Sequence, residues 1–354
     1  MLLEGLQLPL TTPFYPDGRL NLLKLQYNVA RYSKTPAAGL VALSDCGEPT
    51  MLSDVETRQV LGGLSDAAPV EKVLIAGVSR DSVAGTLDLA EAAEGLGYDA
   101  ALVKIPSMLR EGARGVRAKE ILTYFRAVAD RSALPIVLYS SGAESGELLS
   151  VETIAELAGH PGIIGLVDGE GSRVRLEAIR EETRAIRHEV TVTAVFAAKT
   201  RRMRAYVDGA GEELIAADAL SGGGAGLAVA PTKPAVKTRT KVVGFQILTG
   251  RTTSILEGLY AGVVGAMPAF AAAAPQACYE VLAAWKDGDQ GLAEEKQVRL
   301  QRVAARVEEE LGVGAIKFGS DLNGYFGGSC RLPRLPLTGE ERIEVETLMQ
   351  GLRH

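Results

Sequence analysis

The 354-residue chain is poor in the residues that build metal centres and disulfide frameworks. Its three cysteines, Cys46, Cys278 and Cys330, show no metal-ligand spacing and are odd in number. Such use of cysteine is typical of a reducing compartment, where disulfides do not persist. These features argue against a zinc-ribbon protein and against a disulfide-stapled secreted domain. They favour a cytoplasmic protein.

Long apolar runs and an excess of positive charge are also lacking. Residues 1–5 show no basic region followed by a long apolar stretch, so no signal peptide is predicted. The Ala-rich run at 263–275 contains prolines and is too short to span a bilayer. A net charge of −6 argues against nucleic acid or an anionic membrane as the main partner. Small molecules or proteins are the expected partners.

Short apolar or β-branched runs alternate with amphipathic segments of helical length, as in repeated β-α units on a parallel sheet. No Gly-rich dinucleotide motif follows the first run, and the number of runs exceeds what an open doubly wound sheet usually has. The pattern predicts a (β/α)8 TIM barrel. The eight runs are 6–10, 39–43, 73–78, 100–105, 136–139, 163–167, 245–248 and 262–267.

Two segments depart from the repeat. Between the sixth and seventh runs, roughly eighty residues replace a connection that needs about thirty in a β-α-β unit. This predicts an insertion at about 188–242, with a basic cluster at 199–204 and a Gly-rich stretch at 222–226. The remaining residues divide into a barrel at 1–275 and a C-terminal helical extension at 276–354.

Ordered short matches to one known family run along the chain outside the insertion. They include Thr-Pro-Phe at 12–14, the segment 39–48, Leu-Pro-Ile-Val-Leu-Tyr at 134–139 and the segment 316–333. In these segments the chain resembles the Schiff-base lyases typified by dihydrodipicolinate synthase and N-acetylneuraminate lyase. The resemblance implies carbon–carbon lyase or aldol-type chemistry on a 2-oxo acid. It also implies no metal or organic cofactor, and a homo-oligomer that is a dimer or a tetramer.

The family's catalytic lysine is missing. Where the family has Gly-Leu-Lys-Asp, residues 165–168 are Gly-Leu-Val-Asp, and Val167 cannot form an imine. Lys104, near the end of the fourth run, is an alternative amine. Lys199 is a weaker one, on the expectation that the insertion covers the strand ends. Against both stands the ordinary behaviour of a lysine at a strand end, which points into solvent or pairs with a carboxylate.

Some family positions are retained. Tyr139 ends the fifth run where the family places its proton-relay tyrosine, and Gly47 and Glu48 survive in the loop that shapes the oxo-acid pocket. The glutamate is expected to fix loop geometry and not to transfer protons. Met108 replaces the tyrosine that synthase members share between subunits, and residues 140–144 lack the arginine that binds their second substrate.

Asp45 and Cys46 replace the two hydroxyl residues that hold the substrate carboxylate in the family. An aspartate there repels an anionic substrate unless it is protonated or turned away. Cys46 has no histidine near it in the motif, and adjacent Asp45 disfavours a thiolate, so a small buried residue is the favoured interpretation.

Two functions follow, and the sequence leaves both open. The first is a lyase or aldolase in which Tyr139 relays protons, residues Asp45, Cys46, Gly47, Glu48 and Met108 surround the substrate, and an amine other than residue 167 activates it. The second is a pseudoenzyme, a barrel that binds a small acid without converting it. A structural role with an empty barrel is a third hypothesis.

Overall fold

A closed barrel of eight parallel strands forms the centre of the molecule, so the predicted (β/α)8 architecture is confirmed. The computed structural model describes residues 1–110, 116–208 and 237–352. Two further strands, β7 (His188–Thr193) and β8 (Thr238–Val243), lie outside the barrel. The barrel strands are β1 (Gly5–Pro9), β2 (Gly39–Ala42), β3 (Val73–Gly77), β4 (Ala100–Val103), β5 (Ile136–Ser140), β6 (Ile163–Asp168), β9 (Gln246–Thr249) and β10 (Gly265–Ala266).

Helices surround the barrel and continue beyond its last strand. No helix in the described ranges is long and apolar enough to cross a membrane. The helices are α1 (Leu22–Tyr32), α2 (Asp54–Ala67), α3 (Val83–Gly95), α4 (Val116–Ala129), α5 (Val151–Ala158), α6 (Arg173–Glu182), α7 (Arg201–Asp208), α8 (Ile255–Tyr260), α9 (Pro275–Lys286), α10 (Gln290–Ala304), α11 (Val313–Leu322) and α12 (Gly339–Met349), with a π-helical turn at Ala305–Glu310.

The strands separate two cores. Side chains alternate between the barrel interior and the layer under the helices. The interior is filled by branched aliphatic residues such as Val41, Ile75 and Val137, as is usual for TIM barrels. Val167 belongs to this interior set and is 1% exposed. Its neighbour Asp168 is also buried, but it faces outwards and binds Arg175 of α6 at 2.8 Å.

The described parts of the insertion, residues 188–208 and 237–242, lie at the N-terminal end of the barrel, whereas the expectation had placed them over the catalytic strand ends. It follows α6, and each helix of a β-α unit returns the chain to the N-terminal ends of the strands. Strands β7 and β8 pair there as an antiparallel ribbon. Val190 and Val192 of this ribbon form a buried cluster with Leu2, which precedes β1.

The basic cluster anchors the insertion to this end of the barrel. The Arg201 N–H donates to Asp99 Oδ1 at 2.6 Å, and Asp99 directly precedes β4. Lys199 is therefore placed away from the barrel mouth, and it is excluded as a mouth amine. The Gly-rich stretch at 222–226 lies outside the described residues. The shorter hydrogen bonds of the Arg202 guanidinium go to three carbonyl groups that precede β3, those of Ala68 (2.8 Å), Pro69 (3.0 Å) and Lys72 (2.8 Å), and a longer one goes to the Ser65 carbonyl at 3.4 Å.

Arg202→Ala is expected to lower the free energy of unfolding by about 2 kcal/mol, because hydrogen bonds from a charged donor are lost and the three carbonyls lose their shared partner. Urea denaturation measures this. Arg204→Ala, a substitution of an exposed arginine on the same helix, serves as the control and should stay within about 0.5 kcal/mol of the parent. Equal effects of both substitutions would show that Arg202 is not an anchor.

Candidate active site

Residue 167, which corresponds to the family's catalytic lysine, faces the barrel interior and is buried. Val167 is paired in register with Tyr139 on one side and Leu248 on the other. All three belong to the interior cluster. A side chain at position 167 therefore points to the same part of the mouth as Tyr139, as the sequence comparison with the family assumes. With valine there, that part of the mouth is apolar.

An amine nevertheless reaches the mouth from β4. Lys104 directly follows the strand, and its backbone N–H donates to Ser79 Oγ at 2.8 Å. Its side chain is 17% exposed and its Nζ lies 5.2 Å from the centre of the Tyr139 ring. The ammonium donates to a carboxylate oxygen of Asp45 and lies 3.1 Å from Glu147 Oε2. The structure thus brings together Lys104, Asp45 and Tyr139.

Glu147 completes this cluster and was missed by the sequence reasoning. It is buried and accepts a hydrogen bond from Ser141 Oγ at 2.6 Å. Arg110 NH2 lies 2.7 Å from its other oxygen. The only sequence signal for Glu147 was its position in the loop after β5, since loops at the carboxyl ends of strands line the mouth of a TIM barrel. We call Asp45, Lys104, Arg110, Tyr139 and Glu147 the mouth cluster.

Burial sets the protonation state of two groups here. Burial raises the pKa of the Tyr139 phenol well above its usual range, and the charge of Asp45 and a hydrogen bond to it add to the effect. Tyr139 is therefore a protonated hydrogen-bond donor at neutral pH. Burial also raises the pKa of the Cys46 thiol to about 12, although a hydrogen bond with Ser44 partly opposes this. A thiol with that pKa is not a nucleophile at neutral pH.

The loop that carries Asp45 is a short 3-10 turn, Asp45–Gly47, held from the C-terminal extension. Glu48 follows the turn in the left-handed conformation, with φ 54°. Its carboxylate is buried, forms an ion pair with buried Lys317 of α11 and accepts the Arg331 N–H at 3.3 Å. Glu48 thus has structural partners. Gly47 is held as well, because its carbonyl accepts a hydrogen bond from Thr12 Oγ1 at 2.6 Å.

Met108 does not join the mouth cluster within one chain, contrary to its expected place among the substrate-binding residues. It lies in the turn Ser107–Leu109 and is 71% exposed. There it lines a separate, largely apolar cavity of about 850 Å³ with Leu109 and Tyr124. The turn directs Met108 outwards after β4, whereas Lys104 before the turn and Arg110 after it reach the mouth cluster.

A cavity of about 470 Å³ opens over the carboxyl ends of β2, β3 and β4. Its lining includes Asp45, Glu48 and Lys104, whereas Val167 and Tyr139 are not among its described lining residues. The described lining of this cavity thus lies towards β4 and away from β6, where the family holds its lysine. Among the described residues, no group of three or more His, Cys, Asp or Glu side chains could hold a metal ion.

Known proteins match both the sequence and the structure. The model of the dihydrodipicolinate synthetase family matches residues 2–190 and 228–352. A 4-hydroxy-tetrahydrodipicolinate synthase of Acidiphilium cryptum is 26% identical over 349 residues, which are 99% of this chain and 98% of that protein. One from Xanthomonas axonopodis is 34% identical over 179 residues, 51% of this chain and 58% of that protein.

Two solved structures share the fold. A chloride-inhibited dihydrodipicolinate synthase from Acinetobacter baumannii, complexed with pyruvate, gives a TM-score of 0.76 at 21% identity over 99% of this chain and 100% of that one. The N-acetylneuraminate lyase of Proteus mirabilis gives 0.73 at 19% identity over 99% and 98%. Both the synthase and the lyase named by the sequence resemblance are therefore structural neighbours.

The contact between Arg331 and Glu56 predicts a specific acid sensitivity. Hydrogen bonds from Arg331 lower the pKa of the Glu56 carboxyl from 4.5 to about 2. A depressed carboxyl pKa stabilises the fold above the unfolded pKa, and this stabilisation disappears as the pH falls from about 4.5 to about 2. Glu56→Gln should therefore destabilise the protein at pH 7 and flatten its loss of stability below pH 4.5. Thermal melts across this range measure the effect, and an unchanged acid limb would contradict it.

Proposed function

Because the chain belongs to the dihydrodipicolinate synthetase family, we propose that it performs carbon–carbon lyase or aldol-type chemistry on a 2-oxo acid with Lys104 as its amine. The observation that carries this proposal is the position of Lys104 Nζ, which contacts Asp45 and lies 5.2 Å from the centre of the Tyr139 ring. An amine, a carboxylate and a protonated phenol thus meet at the barrel mouth. These are the groups that imine chemistry requires.

The reaction begins with proton transfer from the Lys104 ammonium to Asp45. The free amine attacks the C2 carbonyl of the 2-oxo acid, and one proton of the attacking nitrogen passes to the carbonyl oxygen to give a neutral carbinolamine. Asp45 returns its proton to the departing hydroxyl group, so one water molecule leaves and an iminium ion remains. In the aldol direction Asp45 takes a proton from C3 of the iminium, and the resulting enamine attacks the aldehyde to form the bond between C3 and C4. The lyase direction reverses both steps, so the bond breaks to leave an enamine and an aldehyde, and C3 then takes up a proton from Asp45.

The two carboxylates of the mouth cluster serve the cationic stages of this sequence. Asp45 and Glu147 favour a positive charge on Lys104 nitrogen. That charge is present in the ammonium and again in the iminium, so both states are stabilised by the same fixed groups. Tyr139 is protonated at rest, so in the aldol direction it can give its proton to the C4 oxygen and take up in exchange the proton that Asp45 holds. The lyase direction reverses this exchange.

The same cluster also suits a second function, a barrel that binds a small acid without converting it. The observation in its favour is that the Lys104 ammonium contacts two carboxylates, Asp45 and Glu147, which engage it as a cation within the mouth cluster. A homo-oligomeric state and a cytoplasmic location, both expected from the sequence, stay predictions under either function.

Borohydride reduction in the presence of pyruvate tests the proposal. We expect a covalent adduct that peptide mass spectrometry maps to Lys104, and we expect Lys104→Met to abolish it. The matched control is Lys286→Met, a substitution of an exposed lysine at the end of α9, which should leave the adduct in place.

An adduct on another lysine would refute the role of Lys104. Unchanged protein mass together with a rise in melting temperature on adding pyruvate would support the non-catalytic binding function instead. Neither an adduct nor stabilisation would leave the structural role as the remaining hypothesis.

A further inference from the structure

Two arginines line the cavity of Lys104 without a close carboxylate partner. Arg80 NH2 lies 3.6 Å from Asp54 Oδ1, and Arg334 Nε lies 3.9 Å from Glu48 Oε2. Charge-assisted hydrogen bonds are usually about 2.7–2.9 Å long, so neither contact is a full one. The third arginine of the cavity differs, because Arg110 is bound to Glu147 at 2.7 Å.

The carboxylates on the described wall of this cavity are largely engaged by other donors. Asp45 accepts a hydrogen bond from Lys104, and Glu48 forms an ion pair with Lys317. Asp81 accepts from the N–H and the hydroxyl of Ser107, both at 2.6 Å. The side chain of Asp54 stands at the rim and is 90% exposed. The unused hydrogen-bonding capacity of the wall is therefore mainly cationic.

The Arg80 side chain is also held in place before any ligand arrives, and the segment that carries Arg334 is anchored close by. The Arg80 guanidinium donates to the Ser79 carbonyl at 3.1 Å and to Thr57 Oγ1 at 3.4 Å. Arg334 follows shortly after Arg331, whose guanidinium binds the Glu56 carboxylate at 2.6 and 2.8 Å. Fixed donors lose little conformational freedom when they bind, which favours affinity and specificity.

We infer that Arg80 and Arg334 bind a second anionic group of the substrate. The substrate class is then a 2-oxo acid whose far end carries a carboxylate or a phosphate, and in the aldol direction the aldehyde carries that group. The cavity volume of about 470 Å³ lies in the range of small-molecule pockets. That the substrate reacts through a 2-oxo acid group rests on the proposed function. Binding of its carboxylate or phosphate by Arg80 and Arg334 does not.

Calorimetric titration of the full chain with two acids of equal chain length tests this inference. 2-Oxoglutarate carries the second carboxylate, and 2-oxopentanoate lacks it. We expect 2-oxoglutarate to bind at least about tenfold more tightly, as charged hydrogen bonds imply. Combining Arg80→Gln with Arg334→Gln should reduce the ratio of the two affinities to about twofold or less. Arg126→Gln, which alters an arginine of α4 paired with Glu156 on the surface, is the control and should keep the ratio.

Equal affinities for 2-oxoglutarate and 2-oxopentanoate in the parent protein would overturn the inference. A preference for 2-oxoglutarate that persists in the double variant would also overturn it. Glycerol 3-phosphate distinguishes the two anions, because tighter binding than 2-oxoglutarate that also needs both arginines identifies the group as a phosphate. Melting temperatures of all variants verify folding. In Lys104→Met the ratio should persist, so failure to trap an adduct counts against the proposed function alone.

Discussion

The contact of the Lys104 ammonium with Asp45 and Glu147 organises the mouth of this barrel. The three charges come from the segments that follow β2, β4 and β5, so their contact joins three loops at the barrel mouth. Removing one member would leave a poorly paired charge in a half-buried site, which is costly. The contact also explains how an aspartate is tolerated where the family has a hydroxyl residue. Its charge is matched by a lysine within the same chain.

The C-terminal extension holds the turn that carries Asp45, through its contacts with Glu48. Glu48 occupies a left-handed conformation that a residue other than glycine adopts only when its surroundings enforce it. The buried ion pair with Lys317 and the hydrogen bond from the Arg331 N–H provide that enforcement. The extension is thus part of the site, because it fixes the turn on which Asp45 stands. The cavity above β2 to β4 depends on the same turn.

The sequence predicts the barrel well because alternation of apolar runs is a local signal repeated eight times. It also identifies Val167, Tyr139 and Lys104 as the positions to inspect, since strand ends form the mouth. The end of the barrel at which the insertion lies was predicted wrongly. The helical segment before it, now α6, was the available signal, because it returns the chain to the N-terminal end of the barrel. Glu147 and Arg110 could not be assigned, since their pairing depends on the three-dimensional approach of two loops.

We propose that Lys104, directly after β4, is the reactive amine of this chain and that the substrate occupies the cavity over β2 to β4. A crystal structure of the protein reduced with borohydride in the presence of pyruvate examines this directly. We expect a covalent bond from C2 of the trapped acid to Lys104 Nζ, with Asp45 adjacent and the acid in the cavity over β2 to β4. An unmodified Lys104, with pyruvate bound over Val167, would contradict it.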